Sequence, residues 1–174
     1  YTAIRWDGPN LIGRPFTFRV LHILELLDEL RAAGKIKTKD LETDCYTFHD
    51  PCSLARKGGV IEGPRRLMNM VTTNFAEMKD HGKMNWCCGG GGGLLTDDLM
   101  EIRVKGALPR MTALQNAIKE EGVTHMAAIC AICKSQFTKV LPYYGMDMDQ
   151  IVSVHQLVSN AIILTGQNTD EDDA

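Results

Sequence analysis

The 174-residue chain has no apolar run approaching the roughly 18 residues that a membrane-crossing helix needs. It does not open on a charged stretch followed by a short hydrophobic core, so no secretory leader is expected. Neither sign of charge dominates: 19 Lys+Arg stand against 22 Asp+Glu, giving a net charge of -3 and a pI near 5.9. That balance leaves no basic footprint for nucleic acid. Tyr1 stands where an initiator methionine would, and an upstream part is therefore expected outside this chain. A disulfide-stapled secreted scaffold is a poor match, because a chain this long can bury a core without staples.

What the chain does have is an ordered set of thiols. Five of its six cysteines read as C-x34-C-C-x41-C-x2-C: Cys52, the pair Cys87-Cys88, and Cys130 with Cys133. Thiolate is a soft ligand, and a C-x-x-C turn can aim two sulfurs at one metal. Adjacent cysteines converge only on a sharply turned backbone, and Cys87-Cys88 runs directly into Gly89 to Gly93. Cys52 follows His49-Asp50-Pro51, where Pro51 fixes the backbone. Five thiolates exceed the four that hold a tetrahedral zinc or an ordinary cubane cluster. The surplus points either to an unusual iron-sulfur centre or to one cysteine that is not a ligand. A metal-free C-x-x-C redox pair would leave Cys52 and the double cysteine unexplained. Cys45, in an apolar run before Tyr46-Thr47-Phe48, reads as a buried small hydrophobe outside the set.

Periodicity predicts an α/β fold of short parallel strands alternating with helices, in two small Rossmann-like lobes around a cysteine-lined site. Helices are expected within Pro15 to Ala33, from Gly63-Pro64 to about Lys79, over Asp97 to Glu121 with a bend or restart near Pro109, over Ala131 to Leu141, and over His155 to Leu164. Strands are expected over Cys45 to His49, Thr124 to Ile129 and Ile151 to Val154. Ligands of such sheets gather at the carboxyl ends of the strands, where Cys52 and Cys130 both fall. Val20 to Leu24 weakly echoes Ser153 to Leu157, each placing a histidine where a helix starts. Residues 1–44 read as an N-terminal helical or linker segment, 45–164 as the cysteine-rich domain, and 165–174 as an acidic solvated tail.

His49-Asp50-Pro51-Cys52, Gly63-Pro64-Arg65-Arg66-Leu67, Trp86-Cys87-Cys88 with its glycines, and Cys130-Ala131-Ile132-Cys133 together resemble the cysteine-rich CCG domain of heterodisulfide reductase subunits. The resemblance implies a non-cubane 4Fe-4S cluster held by Cys52, Cys87, Cys88, Cys130 and Cys133, at which disulfides are cleaved in the best-described members. Such domains also resemble parts of glycolate and lactate oxidases and of a thiol-linked succinate-type reductase. The run from Cys87 to Arg110 looks most like the heterodisulfide-reductase-like catalytic subunit of the sulfite-reduction-associated membrane complex. That likeness implies a disulfide- or trisulfide-carrying small protein or a heterodisulfide as substrate, with other electron-transfer subunits of a membrane-associated complex as partners. Two departures stand out: the Cys88 to Cys130 gap is longer than usual in the family, and the ferredoxin-like region with cubane-cluster cysteines is absent, so the chain corresponds to a carboxyl-terminal half.

Around the thiols, His49 and His155 are candidates for proton delivery or for contacts that support the ligands, and Lys134 for attracting an anion or balancing charge. Gly89, Gly90 and Gly91 are candidate cofactor-binding positions whose amides could face cluster sulfurs. The methionines read as packing. Two other functions fit the same cysteines: a closed zinc-binding structural module, and an electron relay that never touches a disulfide. Open thiolates survive in a reducing compartment, so a cytoplasmic location is expected, with any membrane association through partner subunits.

Overall fold

In the computed structural model, which describes residues 1–41 and 43–164, three short strands form one parallel sheet in the order β1-β2-β3. These are β1 (Tyr46–Phe48), β2 (His125–Ala128) and β3 (Ile151–Ser153). The register pairs Phe48 with Ala127 and Ala128 with Ser153, and His49 N–H donates to the Ala127 carbonyl at 2.9 Å just past the last residue of β1. Short β-rich runs buried on both faces are what a parallel sheet under helices demands. Side chains alternate across β2, so Met126 enters one hydrophobic cluster and Ala127 the other. The acidic tail expected over 165–174 lies outside the described residues.

The N-terminal segment holds a helical turn, Ala3–Asp7, running into α1 (Gly8–Ile12), and then α2 (Ile23–Ala32). His22 caps α2: its Nδ1 accepts from Leu24 N–H at 3.2 Å, while the Glu25 carboxylate accepts from His22 N–H at 2.9 Å. Next come α3 (Glu62–Val71), α4 (Met100–Glu121), α5 (Ala131–Val140) and α6 (Val154–Ala161). One core cluster joins α2, α3 and α6 to Tyr46 and Phe48; the other joins α4 and α5 to Met126 and Ile151. Among the described residues, no helix is long and apolar enough to cross a membrane.

Several helix bounds differ from the periodicity, and α6, expected to reach Leu164, ends at Ala161. The helix expected to reach Lys79 stops at Val71, because Thr72 turns extended and the chain then pairs with β1. Tyr46 N–H donates to Asn74 O, and Ala76 N–H donates to Tyr46 O, both at 2.9 Å. Non-local pairing thus overrides helical propensity. There is no restart near Pro109, since α4 runs unbroken from Met100 to Glu121 and closes on Gly122 at φ 72°. Its buried positions Arg103, Ala107, Arg110, Leu114 and Ala117 follow helical spacing, and this continuous packed face outweighs the one hydrogen bond that Pro109 removes.

That packed face carries a prediction. Met111→Ala empties a fully buried position under α4 and lowers the free energy of unfolding by about 2–5 kcal/mol in chemical denaturation. Ile102→Ala, at a position 53% exposed on the same helix, changes it by about 0.5 kcal/mol or less.

Candidate metal centre

Three chain segments converge where β1 and β2 end. Past β1 the chain turns at Pro51, whose carbonyl accepts from Ala55 N–H at 2.8 Å, and this helical turn carries Cys52. β2 delivers Cys130 to the start of α5, whose first turn holds Cys133. The third segment brings Cys87 and Cys88 in from the α4 side of the core, where Cys88 packs with Met78, Ala107 and Cys133.

The ligand atoms of His49, Cys88 and Cys133 all lie within 4.8 Å of one another, and all three residues are buried. Cys133 neighbours both Cys130 and Cys88, Cys88 neighbours Cys87, and Cys52 acts on Cys87 through charge alone. Cys87 is exposed, Cys52 and Cys130 are half-buried, and none of the six cysteines is in a disulfide. Of the five cysteines singled out from the sequence, the structure groups Cys88 and Cys133 tightly, sets Cys87 and Cys130 beside them, and leaves Cys52 at longer range. Cys45 stands apart at the opposite end of β1, its Sγ 3.7 Å from the Glu121 carbonyl.

Electrostatics split these thiols into two that are lowered, Cys88 and Cys130, and two that are raised, Cys87 and Cys133. Hydrogen bonds from Cys133 and Cys87, aided by Gly90 N–H, hold the Cys88 thiol far below its usual range despite burial. The same sharing raises the other two: Cys87 mainly through its bond to Cys88, and Cys133 through its bonds to Cys130 and Cys88. Cys130 is lowered to about 6, first by its contact with Cys133 and then by the N–H groups of Cys133 and Ile132. Thiols titrating as one group are what a thiolate-binding metal displaces protons from.

His49 carries the clearest sign of a missing partner. It is fully buried, its ring packs edge-on against Phe137 with centroids 4.8 Å apart, and neither ring nitrogen has a hydrogen bond. Burial, reinforced by the Arg110 guanidinium, pushes its imidazole down to about 3, so it is neutral. A sealed imidazole with both nitrogens unpaired costs stability unless something between the sulfurs bonds to it. Soft thiol donors, an orphaned imidazole and a glycine loop beside them fit a bound metal-sulfur group.

The other expected site residues fall as follows. Gly89, at φ +81°, lies against α4, where an added Cβ would come within 2.7 Å of the Gly106 carbonyl carbon. An added Cβ on Gly90 would come within 2.7 Å of the Gln136 Cβ, whereas Gly91 faces open space. Lys134 donates from Nζ to Ser153 Oγ at 2.5 Å, and His155 is exposed on α6. Both sit at the carboxyl edge of the sheet, and neither is bonded to a thiol among the described residues.

Motif reading missed the groups that hold the loops together. Asp50, buried at 1% exposure, accepts from Gly82 N–H at 2.7 Å and from both ends of the Arg65 guanidinium at 2.9 and 2.7 Å. Asn85 donates to the Asp50 carbonyl, and Arg56 donates to Asn85 O at 2.5 Å. These bonds tie the Cys52 segment to the stretch leading into Cys87. Asp50 and Arg65 belong to motifs visible in the sequence, but their pairing is not local.

A family model described as CCG, cysteine-rich domain, matches residues 46–138. The chain is 37% identical over 149 residues to the Hdr-like menaquinol oxidoreductase iron-sulfur subunit 2 of Archaeoglobus fulgidus, covering 83% of this chain and 27% of that protein. It is 33% identical over 141 residues to a subunit of the dihydromethanophenazine:CoB--CoM heterodisulfide reductase of Methanosarcina barkeri, covering 77% and 32%. It is also 33% identical over 93 residues to the EtfAB:quinone oxidoreductase of Syntrophomonas wolfei, covering 53% and 13%. The chain thus spans less than a third of the length of these relatives.

The glycine geometry predicts a graded result. Gly89→Ala places a Cβ against the α4 backbone in a left-handed conformation that costs about 1–2 kcal/mol by itself, so bound metal per chain falls. Gly91→Ala, in open space, leaves bound metal unchanged.

Proposed function

The chain belongs to the CCG-domain, heterodisulfide-reductase-like family, and on that premise we propose that it forms part of an iron-sulfur electron-transfer oxidoreductase subunit that reduces a disulfide or trisulfide. In this account Cys52, Cys87, Cys88, Cys130 and Cys133 hold a non-cubane 4Fe-4S cluster. The observation that carries it is the grouping of Cys88 and Cys133 with the unpartnered His49, with Cys87 and Cys130 as their neighbours and Cys52 within charge range of Cys87. When bound, the cluster supplies single electrons at low potential and iron with an affinity for thiolate sulfur.

The protein's own groups divide the remaining work. Cys88 and Cys133 anchor the centre from the buried side, and exposed Cys87 marks the face open to a sulfur substrate. Backbone N–H groups of Gly89 and Gly90 point at the paired cysteines and stabilise negative charge there. His49, neutral, closed off from water and without a partner, would be placed to hydrogen-bond a group held between Cys88 and Cys133, and not to ferry protons. Reducing one disulfide takes two electrons and two protons and yields two thiols. Those protons enter from solvent at the open face, where exposed His155 is the candidate carrier along the sheet edge and Lys134 adds positive charge.

A second reading has its own support. The Archaeoglobus relative is named for menaquinol and the Syntrophomonas relative for quinone, which favours an electron relay between partner subunits with no sulfur substrate. Under either reading, the partners are other electron-transfer subunits, and contact with a membrane comes through them.

Anaerobic counting of iron and acid-labile sulfide, followed by paramagnetic resonance, tests the assignment. Near-equal iron and sulfide and a brown absorbance are expected, together with a spectral change on adding a disulfide. Stoichiometric colourless zinc would make the chain a structural module, and a loaded cluster insensitive to every disulfide tried would leave only the relay. Cys133→Ala abolishes cluster content, while Cys45→Ala, remote from the centre, retains it.

A further inference from the structure

α4 carries two arginines that are almost wholly buried, Arg103 at 1% exposure and Arg110 at 0%. They stand seven residues apart, two helical turns, and so share one face. Neither is ion-paired with a buried carboxylate among the described residues. Arg103 reaches only Asp97, 3.7 Å away and 78% exposed, and otherwise donates to neutral oxygens: Gln136 Oε1 at 2.8 Å and Thr96 O at 3.4 Å. Arg110 has no ion pair among the described residues; it donates to the Asp80 carbonyl at 2.6 Å and faces the Met78 sulfur at 3.3 Å, and its Nε has no partner.

Nearby acids are already committed. Both Asp50 oxygens are held by Arg65, which also pairs with Glu77. Asp50, Asp80 and Glu77 act on Arg110 through charge without pairing with it directly, and a buried cation lacking a direct partner is costly. The cysteine centre is a further source of negative charge beside the same helix. Arg110 stands one turn beyond Gly106 and Ala107 on α4, and Gly89, the residue after the cysteine pair, is packed against the backbone of those two. Arg103 grips Gln136, one turn beyond Cys133, and Gln136 returns a hydrogen bond to the Arg103 carbonyl at 3.1 Å while packing against Gly90.

We propose that Arg103 and Arg110 are positioning residues whose buried positive charge offsets the anionic iron-thiolate centre and raises its reduction potential. This rests on the five-thiol assignment above. Each one-electron reduction adds a negative charge to the centre, and a fixed cation in a low-dielectric wall favours the reduced state. A purely structural role, holding Gln136 or the Asp80 carbonyl, would change stability and leave the potential where it was.

The test uses the full-length protein, loaded anaerobically with iron and sulfide, and reads the midpoint potential by titration followed optically and by paramagnetic resonance. Iron and sulfide content is measured first, and a wild-type protein without them defeats the five-thiol assignment, not this one. With the cluster present, Arg110→Met and Arg103→Gln each move the midpoint to more negative values. Arg110→Lys restores most of the shift, and Arg66→Met, at an exposed position, moves nothing. If Arg110→Met does not load, Arg103→Gln is read in its place. A midpoint equal to wild type in either charge-removing variant with full iron content overturns the proposal.

Discussion

Asp50 is the joint on which the centre depends. Its carboxylate binds the Arg65 guanidinium from α3 and the Gly82 amide, and its carbonyl receives Asn85. Cys52 and Cys87 come from segments with no strand in common, so sheet pairing alone cannot set the distance between them. A buried carboxylate satisfied on every side does so at the cost of desolvating one ion pair, which its bidentate geometry offsets. The thiols can then be close without being bonded to one another.

The two sides of the sheet have different tasks. The face under α2, α3 and α6 is apolar and packed, with Leu24, Phe48, Leu67 and Met68 wholly or almost wholly buried. The opposite face, under α4 and α5, places Cys88, Cys133 and Phe137 in its core and lines it with Arg103, Arg110 and Gln136. Polar and ionisable groups at such depth are tolerable only when something answers them. On the proposed account the sulfur-lined centre answers them, together with the carboxylates of Asp50, Asp80 and Glu77 near Arg110.

Much of this was legible in the chain itself. The cysteine spacing, the glycine run after Cys88 and the strand ends at Cys52 and Cys130 are local signals, and they marked Cys88 and Cys133, which the fold groups tightly, with Cys87 and Cys130 beside them. The alternation of strands and helices was equally readable, because each element carries its own period. What escaped was non-local. Nothing near Thr72 says that Asn74 and Ala76 will pair with Tyr46, and nothing near Pro109 says that a buried face will carry α4 through it. His49 and His155 look alike as motifs, yet the first lies on the same side of β1 as Thr47 and points into the core, while the second sits on the outer face of α6. Counting strand parity from Thr47 was the one signal that could have separated them.

Anomalous diffraction at the iron edge, from crystals of the full-length protein grown without oxygen, tests the central claim most directly. The account predicts iron peaks within bonding distance of the sulfurs of Cys52, Cys87, Cys88, Cys130 and Cys133, and none at Cys45. A single zinc peak on four of these sulfurs, or no peak among them, would contradict it.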